Sequence, residues 1–408
     1  MVTPPRASTS PSGPASGVLG GAGRLPERTA PTTSDLLVLG GRPLPVVGTA
    51  RIWTCGITPY DVTHLGHAAT FVWADTLASV LRALGVATET CRNVTDVDDV
   101  LTAAARRAGR YYDELALGQE FLFERDMTAL AVARPDHVPH ARAHVGAVVQ
   151  LAAALLRTGA AYERDGWVLL RGADLPARAG VDEAEARRLS EEFGDLDADG
   201  GAGDPREDAW DVPVWRPSGE DDPAWPSPWG WGRPGWHAEC AAMAMSVLGA
   251  GVDVLVGGAD LAWPHHAYQA AMVEAATGTA PFARARLHVG TVHHEGSKMA
   301  KSTGNLVLVH DLLEAGHSGA AVRLALLDRP WGEAWTWDAG VLDDAAARLE
   351  GLYAAAAGAS GAPGEGRAAV LAALADDLDV PAALAVAEDR GGEAARTVLD
   401  VLRLHGTR

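Results

Sequence analysis

Two histidines and two lysines are the groups in this chain best suited to work on a phosphate. The stretch Cys55-Gly-Ile-Thr-Pro-Tyr-Asp-Val-Thr-His64-Leu-Gly-His67 lies between an apolar run and a helical pattern. Imidazoles at a helix start sit where free N–H groups and the macrodipole attract anions. Gly66 removes a side chain where a flat base would approach the backbone. Much later comes Ser297-Lys298-Met-Ala-Lys301-Ser-Thr-Gly304-Asn305. Lys298 and Lys301 are the only two lysines, beside 32 arginines. Generic positive charge here is arginine, so this pair marks sites that need a compact ammonium on a flexible stem. On a small-residue loop they suit a mobile clamp on a polyphosphate, placing positive charge where a leaving group becomes negative.

A second set has ligand chemistry. Cys55, Cys240 and His265 are zinc-type ligands near the ends of predicted strands. Their spacing alone does not make a metal site, because no two form a local CxxC or HxxxH pair. Scattered cysteines are more often small buried hydrophobes. Asp96, Asp98 and Asp99 offer carboxylates for Mg²⁺, but a helix N-cap is the better fit to their position.

These groups need a scaffold, and periodicity supplies one. Asp35–Leu39 reads as a strand that Gly40-Gly41 turns into a second short one. Arg51–Cys55 is a buried strand, His64–Leu84 a helix stopped by Gly85, and Val86–Arg92 a strand. A crossover of that length makes a parallel βαβ unit, with ligands expected at the strand C-termini. Helices are expected at Asp99–Arg110, Glu114–Ala133 and His144–Leu156, and a short strand at Gly166–Arg171. Arg187–Asp222 is acidic, glycine-rich and expected to be irregular. Residues 121–229 read as an insertion between two halves of one nucleotide-binding domain. Val252–Val256 and Leu287–Val292 complete the sheet. Residues 338–408 form a helical C-terminal domain broken by a loop at Gly358–Gly366, and residues 1–34 read as a disordered tail. The fold class is α/β and Rossmann-like, with a catalytic domain over 35–337.

Composition bounds the function. The chain has 408 residues, of which 48% are apolar, enough for a substantial core. A net charge of −19 disfavours broad contact with nucleic-acid phosphates. Three distant cysteines exclude a disulfide-stapled secreted fold and fit a reducing, cytoplasmic location. No apolar run is long enough to span a membrane, and no signal peptide is evident.

Together, His64-Leu-Gly-His67 and Lys298-Met-Ala-Lys301-Ser resemble the HIGH and KMSKS signatures of class I aminoacyl-tRNA synthetases. Ala300 stands where the second signature has serine. Cys55-Gly, Asn93-Val-Thr-Asp-Val-Asp-Asp99, Gly235-Trp-His-Ala-Glu-Cys240, Gly257-Gly-Ala-Asp260 and Pro264-His265-His266 resemble cysteinyl-tRNA synthetases. They are still more similar to the cysteine ligases of mycothiol biosynthesis, over about Leu36 to Trp337.

The resemblance implies a class I synthetase catalytic domain with an inserted, mostly helical subdomain. It implies Zn²⁺ on Cys55, Cys240 and His265. Gln269 stands where the synthetases add a glutamate, and Ala267 is a further departure after the histidine pair. With three protein ligands, zinc keeps a position for the cysteine sulfur. The amino acid and its adenylate are assigned to Cys55, Gly56, Ile57, Thr58, Thr70, Asn93, Val94, Thr95 and Trp236. ATP, as its Mg²⁺ complex, is assigned to His64, His67, Gly257, Gly258, Ala259, Asp260, Val292, Lys298 and Lys301, with the two histidines and two lysines catalytic. The implied reaction joins L-cysteine to the amine of glucosaminyl-inositol through a cysteinyl-adenylate, releasing AMP and pyrophosphate. The counterpart of one ligase segment, Ser190–Gly200, is degenerate. A tRNA partner is not expected: residues after Trp337 are acidic and hold one aromatic, Tyr353. A monomer is expected. The alternatives are a paralogue that passes cysteine to another amine or a carrier protein, a truncated cysteinyl-tRNA synthetase, and a silent nucleotide-binding relative.

Overall fold

A short hairpin, β1 (Val38–Leu39) and β2 (Arg42–Pro43), turns on Gly40 and Gly41, both at positive φ. The computed structural model describes residues 37–60, 62–193, 204–220, 222–299, 303–359 and 361–405. The expected N-terminal tail lies outside the described residues. So do Ala300, Lys301 and Ser302, and most of Ser190–Gly200.

The βαβ unit follows as its periodicity predicts. β3 (Ala50–Ile57) leads into α1 (Leu65–Ala83) and then β4 (Thr88–Val94). Apolar residues at helical spacing, among them Leu65, Ala69, Val72, Leu77 and Leu81, bury one side of α1 against the sheet. Gly85, at φ 86°, follows its end.

Next come α2 (Asp99–Ala108), α3 (Tyr112–Ala129), α4 (Val145–Thr158), β5 (Ala161–Arg164), β6 (Trp167–Leu170), α5 (Leu175–Ala179), α6 (Glu183–Phe193), β7 (Val212–Pro217), β8 (Trp225–Ser227) and β9 (Gly230–Pro234). The five strands form an antiparallel sheet in the order β5-β6-β7-β9-β8. This corrects the expectation for Arg187–Asp222, which holds the end of α6 and all of β7. Pro213 and Pro217 disguise β7, because proline cannot donate to a ladder. A shift of register between Val168 and Leu169, opposite Pro213, accommodates it within the sheet. α3 runs across residue 121, and the antiparallel sheet continues past residue 229 to Pro234.

α7 (Trp236–Leu248), β10 (Val252–Gly258), α8 (Ala267–Thr277) and β11 (Ala283–Val289) return the chain to the parallel sheet. Its order is β11-β10-β3-β4, all parallel. From β3 the chain goes to β4 on one side, and β10 lies on the other. The crevice at the C-terminal ends of β3 and β10 is therefore the place where ligands bind such sheets. The expected strand Leu287–Val292 divides into β11 and β12 (Val292–His294). At the break, a Cβ on Gly290 would lie 2.0 Å from the Glu333 carbonyl oxygen, so only glycine fits.

β12 pairs with β13 (Ser297–Lys298), which places Lys298 on a hairpin. α9 (Val309–Glu314), α10 (Gly319–Leu327) and β14 (Trp335–Thr336) precede α11 (Ala339–Ala356), α12 (Glu365–Ala375), α13 (Val380–Arg390) and α14 (Gly392–Val401). The last four helices share one apolar core with α1 and α10. Fully buried Arg323 ties this region together, donating to Asp75 Oδ2 (2.6 Å), Leu130 O (3.0 Å) and Leu402 O (2.7 Å). Among the described residues, no helix is long and apolar enough to cross a membrane.

Candidate active site

A cavity of about 1070 Å³ opens at the C-terminal ends of β3 and β10. At its inner end Cys55, Cys240 and His265 converge, all buried, their ligand atoms within 4.8 Å of one another. Each comes from a different element: the end of β3, the first turns of α7 and the bend before α8. His265 Nε2 lies 3.2 Å from Cys240 Sγ, while its Nδ1 faces His237 Nδ1 at 2.9 Å. An imidazole held at one nitrogen and offering the other is the usual arrangement around a metal-binding histidine. Asn93 Nδ2 donates to Cys240 Sγ (3.2 Å), and Cys55 Sγ lies 3.5 Å from Gln269 Oε1.

The donor set fits zinc. Bonds of roughly 2.0–2.3 Å in a tetrahedron place ligand atoms about 3.3–3.8 Å apart. In the protein alone, the neighbouring Cys55 thiol and burial push the Cys240 thiol well above its ordinary range, against the pull of His265. Two thiolates in this space need a cation between them.

Most of the residues assigned to the amino acid line the same cavity. Trp236 stacks on His265 with ring centroids 4.1 Å apart and forms a cavity wall rather than core packing. Thr58 Oγ1 and Thr95 Oγ1 are 2.7 Å apart, joining the β3 and β4 loops. Gly56 N donates to Asn93 Oδ1 (2.9 Å), and a Cβ on Gly56 would lie 1.7 Å from the Asn93 carbonyl oxygen. Ile57 and Thr70 also line the cavity, whereas Val94 does not: its N–H donates to Pro139 O (2.9 Å) behind the wall.

Also lining the cavity, His64 precedes α1, and its ring centroid lies 3.9 Å from that of His67. Gly66 permits this fold: its Cβ would meet the His64 ring at 3.0 Å and Val292 Cβ at 4.0 Å. Gly258, Ala259, Asp260, Val292 and Lys298 line the same cavity. Gly258 gives room to Asp260, whose Oδ1 lies 2.5 Å from where a Cβ would be. Gly257 stands outside the lining and instead gives room to the His266 ring, 2.6 Å from its would-be Cβ. His266 Nδ1 and His288 Nε2 share a hydrogen bond of 2.8 Å. The Val292 carbonyl accepts from Met299 N (2.9 Å), so that oxygen is engaged with the lysine hairpin. Asp98 caps α2 through Val100 N, Asp96 pairs with Arg142, and Asp99 pairs with Arg216 and Arg233. Capping and ion pairing thus occupy the three aspartates.

Several cavity residues escaped the sequence reading. Glu192, from α6, lies 3.3 Å from Lys298 Nζ. Trp167, Leu169, Asp204, Arg206, Pro213 and Arg216 line the side formed by the insertion. Alternation in β6 was the available signal: Trp167 and Leu169 fall on one face, Val168 and Leu170 on the other.

Comparison with known proteins identifies the family. Residues 45–347 match the family model described as tRNA synthetases class I (C) catalytic domain. The chain is 41% identical over 376 residues to the L-cysteine:1D-myo-inositol 2-amino-2-deoxy-alpha-D-glucopyranoside ligase of Acidothermus cellulolyticus, covering 91% of each. It is 42% identical over 374 residues to the ligase of the same name from Mycobacterium ulcerans, covering 89% of this chain and 88% of that one. Among solved structures, Mycobacterium tuberculosis methionyl-tRNA synthetase in complex with methionyl-adenylate shares the fold at a TM-score of 0.60 and 18% identity, over 88% of this chain and 90% of that one. The chain belongs to the class I (C) tRNA synthetase catalytic-domain family, in the branch populated by these cysteine ligases.

Proposed function

We propose that this protein ligates L-cysteine to the amine of glucosaminyl-inositol through a cysteinyl-adenylate, at the expense of ATP. The supporting observation is one cavity lined both by a thiol–thiol–imidazole corner and by His64, His67 and Lys298. Cys55, Cys240 and His265 would hold zinc, which supplies a thiophilic contact that selects the cysteine sulfur over a serine hydroxyl. Gln269 contributes a neutral oxygen to this corner where a carboxylate would add charge.

In the first step a carboxylate oxygen of cysteine bonds to the α-phosphorus of MgATP. The bond to the bridging oxygen breaks, and pyrophosphate leaves with the electron pair. His64 and His67, at the start of α1, donate toward the phosphates, and Lys298 and Lys301 offset the developing charge. Asp260 accepts from the ribose hydroxyls, and Val292 packs on the base. Thr58, Thr70, Thr95 and Trp236 fix the amino acid. In the second step the neutral acceptor amine bonds to the adenylate carbonyl carbon and AMP leaves. The amine proton passes to solvent or to the departing phosphate. We assign the reaction to the cytoplasm and to a monomer, with no tRNA partner.

Mass spectrometry of reactions with ATP and cysteine tests this. The cysteinyl amide of glucosaminyl-inositol is expected, with no cysteinyl-tRNA when tRNA is supplied instead. Cysteinyl-tRNA without the amide overturns the reading.

A further inference from the structure

The cavity is larger than its adenylation machinery requires. At about 1070 Å³ it stands just above the range for a single small-molecule site, about 300–1,000 Å³. The described residues given roles above come from the parallel sheet, from helices α1, α7 and α8, from the bend before α8 and from the β12–β13 hairpin. Another part of the lining belongs to the antiparallel sheet of the insertion, and strand alternation explains its surface. Val168 and Leu170 of β6, with Val212 and Val214 of β7, point into the apolar core. Trp167, Leu169 and Pro213 take the other face and line the cavity, with Leu169 directly opposite Pro213.

A polar edge borders this platform. Arg206 grips Asp204 through Nε (2.9 Å) and Nη2 (2.7 Å), and its own N–H donates to Asp204 Oδ1 (3.0 Å). The pair is set beside Trp167 by Arg164, the cross-strand partner of Trp167, which donates to the Pro205 carbonyl at 3.0 Å. Arg216 lines the cavity farther along β7.

We infer that this face is the acceptor subsite, with Trp167 stacking on the C–H face of an amino-sugar ring and the Asp204–Arg206 pair reading its hydroxyls. An indole offers a wide, rigid, amphipathic surface. A locked carboxylate–guanidinium pair presents an acceptor and a donor together, as adjacent hydroxyls require. Sites built on hydrogen bonds reject analogues that lack the matching group. The inference rests on the ligase reading above and adds where the amine substrate sits.

Trp167→Ala and Arg206→Ala test it through two assays on the full-length protein. Cysteine-dependent ATP–pyrophosphate exchange needs no acceptor, and it also reports that the variant is folded. Amide formation needs the acceptor. Exchange is expected to stay within about twofold of wild type, while the KM for glucosaminyl-inositol rises about tenfold or more. An unchanged KM overturns the subsite, as does exchange that falls as far as ligation. The ligase reading fails separately: wild-type protein would then exchange pyrophosphate yet make no amide with glucosaminyl-inositol, and the subsite would fall with it.

Discussion

Lys298 Nζ lies 2.9 Å from Asp260 Oδ2, an ion pair that joins the β12–β13 hairpin to the end of β10. Burial works against the lysine charge, but Asp260 and Glu192 outweigh it and hold its pKa above the ordinary value. The ammonium is therefore charged and already aimed at the cavity before ATP arrives. If it offsets charge on the leaving pyrophosphate, Lys298→Ala slows cysteine-dependent ATP–pyrophosphate exchange about 100-fold. The KM for cysteine stays within about threefold, because the lysine pairs with Asp260 and Glu192 while the cysteine sulfur is assigned to Cys55, Cys240 and His265. Equal losses in both would refute the clamp.

Gly56 offers a steric test. A Cβ there meets the Asn93 backbone oxygen at 1.7 Å, where neither strand can give way. Gly56→Ala is expected to lower both stability and cysteine activation, by several kcal/mol in urea unfolding (about 1–3 or more for overpacking). Gly118, inside α3, has nothing within 4 Å of its would-be Cβ. Gly118→Ala should instead stabilise by about 0.5–1 kcal/mol.

Arg323 and Asp75 make a buried ion pair 2.6 Å long. Removing Arg323 leaves the buried Asp75 carboxylate with the longer Arg403 contact (3.5 Å) and the Ala133 N–H, and orphans two buried carbonyls, so Arg323→Met is expected to cost about 3–5 kcal/mol in chemical denaturation. Replacing Asp75 by Leu in the same chain should recover much of that loss. Equal stability of the Arg323→Met variant and wild type would contradict the role given to this residue in joining α1, α3, α10 and the C-terminal helices.

Burial, with Arg286 nearby, lowers the pKa of His288 to about 4. The folded state therefore keeps this ring neutral where the unfolded chain, at about 6.5, takes up a proton. Its contribution to stability is full above about pH 6.5 and is lost as pH falls toward 4, by at most about 1.4 kcal/mol per pH unit. Replacement by Gln should flatten the fall in melting temperature across that interval. An unchanged slope would show that His288 does not carry it.

Much of the scaffold was legible because it is written locally. The apolar run of β3, the helical spacing of α1 and Gly85 give the βαβ unit directly. The alanine-rich helices after residue 338 are equally plain. β7 was hidden because Pro213 and Pro217 erase its strand signal, and its place depends on a register shift in a neighbour. The corner of Cys55, Cys240 and His265 was legible only through resemblance, since the three share no local spacing and meet through the parallel sheet. Asn93 on Cys240, and Glu192 on Lys298, are contacts between distant elements. Nothing within either segment announces them. Val94 and Gly257 show the reverse: they lie beside cavity residues in sequence, yet one is engaged behind the wall and the other makes room for His266.

The decisive measurement is cysteine- against serine-dependent ATP–pyrophosphate exchange, made on zinc-loaded protein and again after chelation. A thiophilic corner of Cys55, Cys240 and His265 predicts at least about 1,000-fold preference for cysteine, beyond what shape alone supplies, and loss of exchange when zinc is withdrawn. Full activity after chelation, or serine activated as readily as cysteine, would contradict the account.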